Sequence, residues 1–123
     1  MKAWGGISSL QLRLPVMWTE ASARGFTINQ MAEWLCGAPA RQVGLANRKG
    51  SISVGSDADI VIWNPNREFR VAPESIEHRH KLTPYAGEVL RGVIERTFLC
   101  GEIVYDGGEF GEPKGQPLFR GTT

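Results

Sequence analysis

The periodicity of this chain changes at Gly50, and that change constrains the fold more than any other feature of the sequence. Before Gly50, apolar residues recur at spacings of three and four, as on one face of a helix. After it they alternate with polar residues or run continuously, as on strands. An α+β fold follows. Fifteen Gly and seven Pro among 123 residues predict short elements joined by tight turns. The length suits one ordinary domain or a piece of one.

In the helical half, Met1 to Leu14 reads as a loop. Gly5 and Gly6 permit unusual backbone angles, and Ser8 and Ser9 compete with the backbone for hydrogen bonds, so this loop could approach a ligand closely. Pro15 suits a first helical turn and Gly25 the position past a helix end, which predicts a helix from Pro15 to Arg24. Thr27 followed by Gln30 matches a capping box, starting a helix from Ile28 to Cys36 whose buried stripe is Ile28, Met31, Ala32 and Leu35. Gly37 is expected to stop it, with Ala38-Pro39-Ala40 restarting a short helix to about Gly44.

Beyond Gly50, Ser51 to Val54 alternates and Ile60 to Trp63 is continuously apolar, predicting two strands around the turn residues Gly55 to Asp59. A further strand is expected near Glu68 to Val71. Arg91 to Leu99 and Glu102 to Tyr105 read as a hairpin turning at Cys100-Gly101. From Gly107 onward the Gly- and Pro-rich tail has little means of packing.

With 14 basic against 13 acidic side chains there is no broad positive field to concentrate nucleic acid or an anionic membrane. No apolar run reaches the ~18 to 20 residues that span a bilayer, and the first residues lack a signal-peptide core, so a cytoplasmic location is expected. Cys36 and Cys100 are too few for a disulfide framework and are read as reduced thiols.

Three groupings invite a chemical reading. His78-Arg79-His80 has the spelling of a His-x-His metal site, but there is no third His, and zinc takes three or four ligands. Asp57 and Asp59 could be a carboxylate pair or ligands for a hard cation, yet Asp in a Gly-rich corner more simply bonds neighbouring amides. Ser8 and Ser9 lack the elbow and base of a nucleophilic serine. Trp4, Trp18, Trp34 and Trp63 are spread over the chain, as core residues are, rather than aligned as a base-stacking platform.

Three segments carry a family resemblance. Lys49 to Trp63, reading KGSISVGSDADIVIW, resembles the hairpin that begins the returning β-sandwich in cyclic amidohydrolases, the group holding dihydroorotase, dihydropyrimidinase and allantoinase. His80 to Gly87, leading through Leu90 to Val93 and on to Tyr105, is similar to the closing strands of the dihydroorotase and allantoinase branch. Ala3 to Gln11, reading AWGGISSLQ, looks like the loop after the last barrel strand in allantoinases. Related hydantoinases carry Asn-Gly where this chain has Gly5-Gly6.

The resemblance implies the last helices of a TIM-barrel amidohydrolase followed by the C-terminal strands of its small β-sandwich. Residues 1–48 would end the barrel, 49–106 would form the sandwich part and 107–123 a flexible tail. It further implies a metal pair, zinc or alternatively cobalt or manganese with a carboxylated lysine, that activates water to open the ring of allantoin. None of those ligands matches a position here. The family's His-x-His, carboxylated Lys, later His pair and final Asp all correspond to sequence before Met1. This chain is therefore expected to bind no metal and to turn over nothing alone. Gly5, Gly6 and Ile7 are the one functional site carried over, where relatives contact the substrate ring through backbone groups. The full enzyme would be a homo-oligomer, and the fragment would self-associate through open sheet edges. Rival readings are a dihydroorotase or hydantoinase-type fragment and a non-catalytic β-rich binding module.

Overall fold

The computed structural model describes residues 6–118 as one four-stranded antiparallel sheet with a helix packed on it and two further short helices running on from that helix. A 3-10 turn over Leu10–Leu12 runs directly into helix α1, Arg13–Ala23. The helix therefore begins two residues before the predicted Pro15, which sits inside the first turn, where no amide hydrogen is required. It ends as expected. The Phe26 N–H bonds the Ala21 carbonyl at 3.0 Å and the Gly25 N–H bonds that of Ser22 at 3.1 Å, a Schellman closure.

The Thr27 capping box is present. The Gln30 N–H donates to Thr27 Oγ1 at 3.3 Å, and the Thr27 N–H donates to Gln30 Oε1 at 2.9 Å. From this cap run α2, Ile28–Ala32, a π-helical turn, Glu33–Gly37, and α3, Ala38–Gln42. The expected stop at Gly37 does not occur. Gly37 has right-handed helical angles, φ −62° and ψ −54°, whereas a glycine stop needs a left-handed residue. Pro39 lacks an amide hydrogen, and the wide turn directly before it takes up the break that proline makes in a helical ladder. The buried stripe is also narrower than predicted. Met31 is buried and Leu35 half-buried, whereas Ile28 and Ala32 are exposed.

Strand β1, Ile60–Arg70, joins the strand predicted over Ile60 to Trp63 and the one expected near Glu68 to Val71 into one. It has one register break between Ile62 and Trp63 and a second, between Asn64 and Glu68, that crosses Pro65, with Asn64 Oδ1 accepting the N–H groups of Asn66 and Arg67 at 3.0 and 3.2 Å. Proline is tolerated because β1 is the sheet edge. It pairs with β2, Val89–Leu99, which pairs with β3, Glu102–Asp106. The β2–β3 hairpin turns where expected, with φ of 50° at Cys100 and 84° at Gly101, the left-handed pair that a tight hairpin turn demands.

Ser51 to Val54 is not a strand. The hydroxyls of Ser51, Ser53 and Ser56 bond one another at 3.1 and 2.9 Å, and Ile52 and Val54 stand exposed. Alternation marks a strand only where a partner satisfies its backbone. The segment after Gly107 corrects the expectation in the other direction. It forms β4, Glu109–Phe110, packing Phe110 against Tyr105 at 5.1 Å between ring centroids, and the Gly111 N–H bonds the Val104 carbonyl at 3.1 Å.

Two apolar clusters lie between α1 and the sheet. Leu12, Val71, Ile76 and Leu90 form one, and Trp18, Ala21 and Met31 form the other with half-buried Trp63 against them. Polar bonds fix the helix in place. Trp18 Nε1 donates to the Pro65 carbonyl at 2.8 Å, and Thr19 Oγ1 accepts the Arg91 N–H at 2.8 Å while donating to the Pro15 carbonyl at 2.7 Å. Trp34 instead contacts Phe26 on the exterior, at 5.0 Å between centroids, and Trp4 lies outside the described residues.

Candidate functional site

Of the three residues singled out in the glycine loop, Gly5 lies outside the described residues. Gly6 has φ +109°, and a Cβ placed on it would meet no atom of the described residues within 4 Å. Ile7 beside it is 64% exposed, so this stretch of backbone faces open space and can be approached by a ligand. The chain then turns at once. The Leu12 N–H bonds the Ser9 carbonyl at 2.9 Å, and the buried Leu12 side chain anchors the turn in the first apolar cluster.

A second anchor was not singled out from sequence. The Gln11 side-chain amide donates to the Ser75 carbonyl at 2.7 Å, and its oxygen accepts the Glu77 N–H at 2.8 Å. Those two backbone groups flank Ile76, which is fully buried. The pairing spans 64 and 66 positions of sequence, and no local pattern announces it.

Gln11, Ser75 and Glu77 also line a groove of about 650 Å³ between the start of α1 and the strands. Leu12, Pro15, Phe69, Val93, Tyr105 and Phe110 make its wall mainly apolar. The groove therefore favours apolar contact over charge chemistry.

Asp57 and Asp59 follow the turn at Val54–Ser56 and lead into β1, and their side chains are engaged beyond it. Asp57 Oδ2 meets Arg48 Nη2 at 3.0 Å and Lys49 Nζ at 2.8 Å. Asp59 also pairs with Lys49, and its Oδ1 accepts the Cys100 N–H at 2.9 Å. The hydrogen bond from Lys49 holds the Asp57 carboxyl below the usual carboxylate range, with Arg48 adding to the effect. For Asp59, partial burial works upward but is outweighed by Lys49 and the Cys100 amide, and the net shift is down. Burial would lower Lys49, yet its two carboxylate partners outweigh that and raise it. The cluster ties the loop after α3 to the β2–β3 turn.

His78 Nε2 lies 3.1 Å from the Leu82 carbonyl, and His80 is exposed. Cys36 and Cys100 are free thiols, both exposed. Among the described residues no group of three or more His, Cys, Asp or Glu side chains is placed to hold a metal ion.

The family model of the amidohydrolases matches residues 5–104, and the chain belongs to that family. It is 48% identical over 118 residues to the allantoinase of Streptomyces avermitilis, covering 96% of this chain and 26% of that protein. It is 49% identical over 109 residues to probable allantoinase 2 of Dictyostelium discoideum, covering 89% and 21%. Among solved structures, the L-hydantoinase (dihydropyrimidinase) of Arthrobacter aurescens superposes with a TM-score of 0.83 at 30% identity, over 89% of this chain and 25% of that one. A D-hydantoinase superposes at 0.77 with 29% identity, over 81% and 22%. The chain thus spans about a quarter of the length of these curated relatives.

Proposed function

We propose that this chain is the carboxyl-terminal part of an allantoinase-like hydrolase that opens the ring of allantoin to give allantoate. Near-half identity to an allantoinase over 96% of the chain carries the reading. In it, residues 1–48 close the hydrolase barrel, 49–106 contribute to the small β-sandwich and 107–123 form the tail. Backbone groups of Gly5, Gly6 and Ile7 meet the substrate ring, a role supported by the open side of Gly6.

The family's chemistry uses water activated by a metal pair, and the residues present do not fit that group. Asp57 and Asp59 are committed to Lys49, Arg48 and the Cys100 amide, and His78 faces a carbonyl. No step is therefore assigned to a metal held by these 123 residues; its ligands come from other sequence. The whole enzyme acts in the cytoplasm as a homo-oligomer. Among the described residues no helix is long and apolar enough to cross a membrane. The open groove and the exposed side chains of Ile52, Val54 and Leu82 support self-association of this chain alone. A monodisperse monomer at every concentration in sedimentation would refute that.

A chimera tests the substrate. The matched segment of the Streptomyces avermitilis allantoinase is exchanged for this chain and the product offered allantoin, dihydroorotate and hydantoin with Zn²⁺, Co²⁺ or Mn²⁺. Turnover of allantoin in preference to the others is expected. A folded chimera that prefers hydantoin or dihydroorotate overturns the reading. The chain alone should give no turnover with any of these metals.

A further inference from the structure

We propose that Gln11 is a positioning residue, holding the Gly6–Ser9 loop in place by clamping its far end to the Ser75–Glu77 turn. The inference rests on the proposed substrate role of that loop for its functional meaning, but its physical content does not. A primary amide offers one acceptor oxygen and a donor nitrogen, and here each meets its complement on the backbone that leaves the 3-10 turn Pro73–Ser75, at 2.8 Å from the Glu77 N–H and 2.7 Å to the Ser75 carbonyl. The side chain thus acts as a two-point backbone mimic.

The clamp has a rigid base on both sides. Ile76, between the two bonded groups, is fully buried, and Leu12, next to Gln11, is 4% exposed in the same apolar cluster. On the loop side, among the described residues, little else ties the chain down. Gly6 has no neighbour at its Cβ position, Ile7 is exposed, and the Ser9 hydroxyl reaches the Ile7 carbonyl only at 3.5 Å. Leu12 fixes the depth of the turn, whereas Gln11 fixes its direction, because two bonds at one side chain prevent rotation about either.

Side-chain chemistry then gives a test that loss of packing would not mimic. Gln11→Met keeps the length and removes both bonds. Gln11→Glu keeps only the acceptor when ionised, but regains a donor when protonated. Amide hydrogen exchange and chemical shifts are read by NMR on the full chain, with Gln11→Met, titrated alongside, correcting for the nearby Glu77 carboxyl. Expected for Gln11→Met is roughly tenfold or greater loss of protection at the Glu77 amide, with shifted Ile7 to Ser9 resonances and a near-native melting transition. For Gln11→Glu those loop resonances should move toward wild-type positions as pH falls through the carboxyl range, while Gln11→Met shows no such return.

Unchanged loop resonances in Gln11→Met, or a Gln11→Glu variant that follows Gln11→Met at every pH, overturn the proposal. If a variant unfolds, Gln11→Asn, which keeps the amide but is one methylene short, replaces it; native loop resonances there likewise overturn the claim. None of these readouts uses allantoin, so failure of the allantoinase reading in the chimera would be seen separately.

Discussion

Trp18 of α1 and Trp63 of β1 meet edge to face, with ring centroids 5.5 Å apart and planes at 86°. The contact is possible because β2 passes beneath it at Gly92. A Cβ there would lie 3.0 Å from the Trp63 ring and 3.3 Å from Trp18, and φ is +104°, a conformation that side chains disfavour. Steric and backbone demands coincide here, as they also do at Gly50, where φ is +88° and an added Cβ would lie 2.7 Å from the Ala40 Cβ.

Gly92→Ala should therefore destabilise the fold by about 2 to 4 kcal/mol, combining overpacking with left-handed strain. Gly108 also has a positive φ, +112°, but has no atom within 4 Å of the added methyl, so Gly108→Ala should cost only the strain, about 1 to 2 kcal/mol. Urea unfolding of both variants measures the difference. Equal costs would show that the tryptophan contact does not select glycine.

Trp18 also has a polar role, since its Nε1–H reaches the Pro65 carbonyl within the irregular stretch of β1. Trp18→Phe retains an aromatic edge toward Trp63 but leaves that carbonyl without this donor. A loss of about 1 to 3 kcal/mol is expected by chemical denaturation. Trp34→Phe is the control, because Trp34 contacts Phe26 at the exterior, and it should stay within about 0.5 kcal/mol of the parent.

What the sequence made legible was local. The Thr27–Gln30 box, the helix end at Gly25 and the Cys100-Gly101 turn each depend on residues within a few positions, and each formed. Ser51 to Val54 failed because alternation states a preference for two faces, whereas a strand exists only when a neighbour accepts its hydrogen bonds. Gly37 failed because a glycine permits a left-handed stop without requiring one, and Pro39 beyond it resolved into a π turn. The bonds that shape the candidate site were illegible for a different reason. Gln11 with Ser75 and Glu77, and Asp59 with Cys100, join residues 41 to 66 positions apart. Gly6 itself came from family resemblance, and geometry adds that its backbone is open.

The capping box gives a helix-specific prediction. Thr27→Ala removes the acceptor of the Gln30 N–H at the start of α2, where no acidic residue occupies the first turn to compensate. A cost of about 1 kcal/mol is expected, with faster amide exchange confined to the first turn of α2. Loss of protection extending to α1 would mean that the two helices unfold as one unit.

Acid should loosen the chain at the Lys49 cluster first. Asp57 and Asp59 both have folded pKa values below the ordinary carboxylate value of about 4. A group so depressed contributes stability above its unfolded pKa and loses it as pH falls through its folded pKa. Lys49 is raised, so its contribution is present below about pH 10 and is lost only above that, outside the acid window. The melting temperature should hold near neutrality and fall between about pH 5 and pH 2. Solvent reaches these groups, Lys49 being 16% exposed, so the effect is screened and should shrink in high salt. Asp59→Asn should flatten the acid limb and also slacken the β2–β3 turn, because an amide oxygen is a weaker acceptor for the Cys100 N–H than a carboxylate. Asp57→Asn should flatten the limb while leaving that turn alone. Thermal melts by circular dichroism from pH 2 to pH 8, with amide exchange at Cys100, separate the two, and an acid limb unchanged in both variants would place the acid sensitivity elsewhere in the molecule.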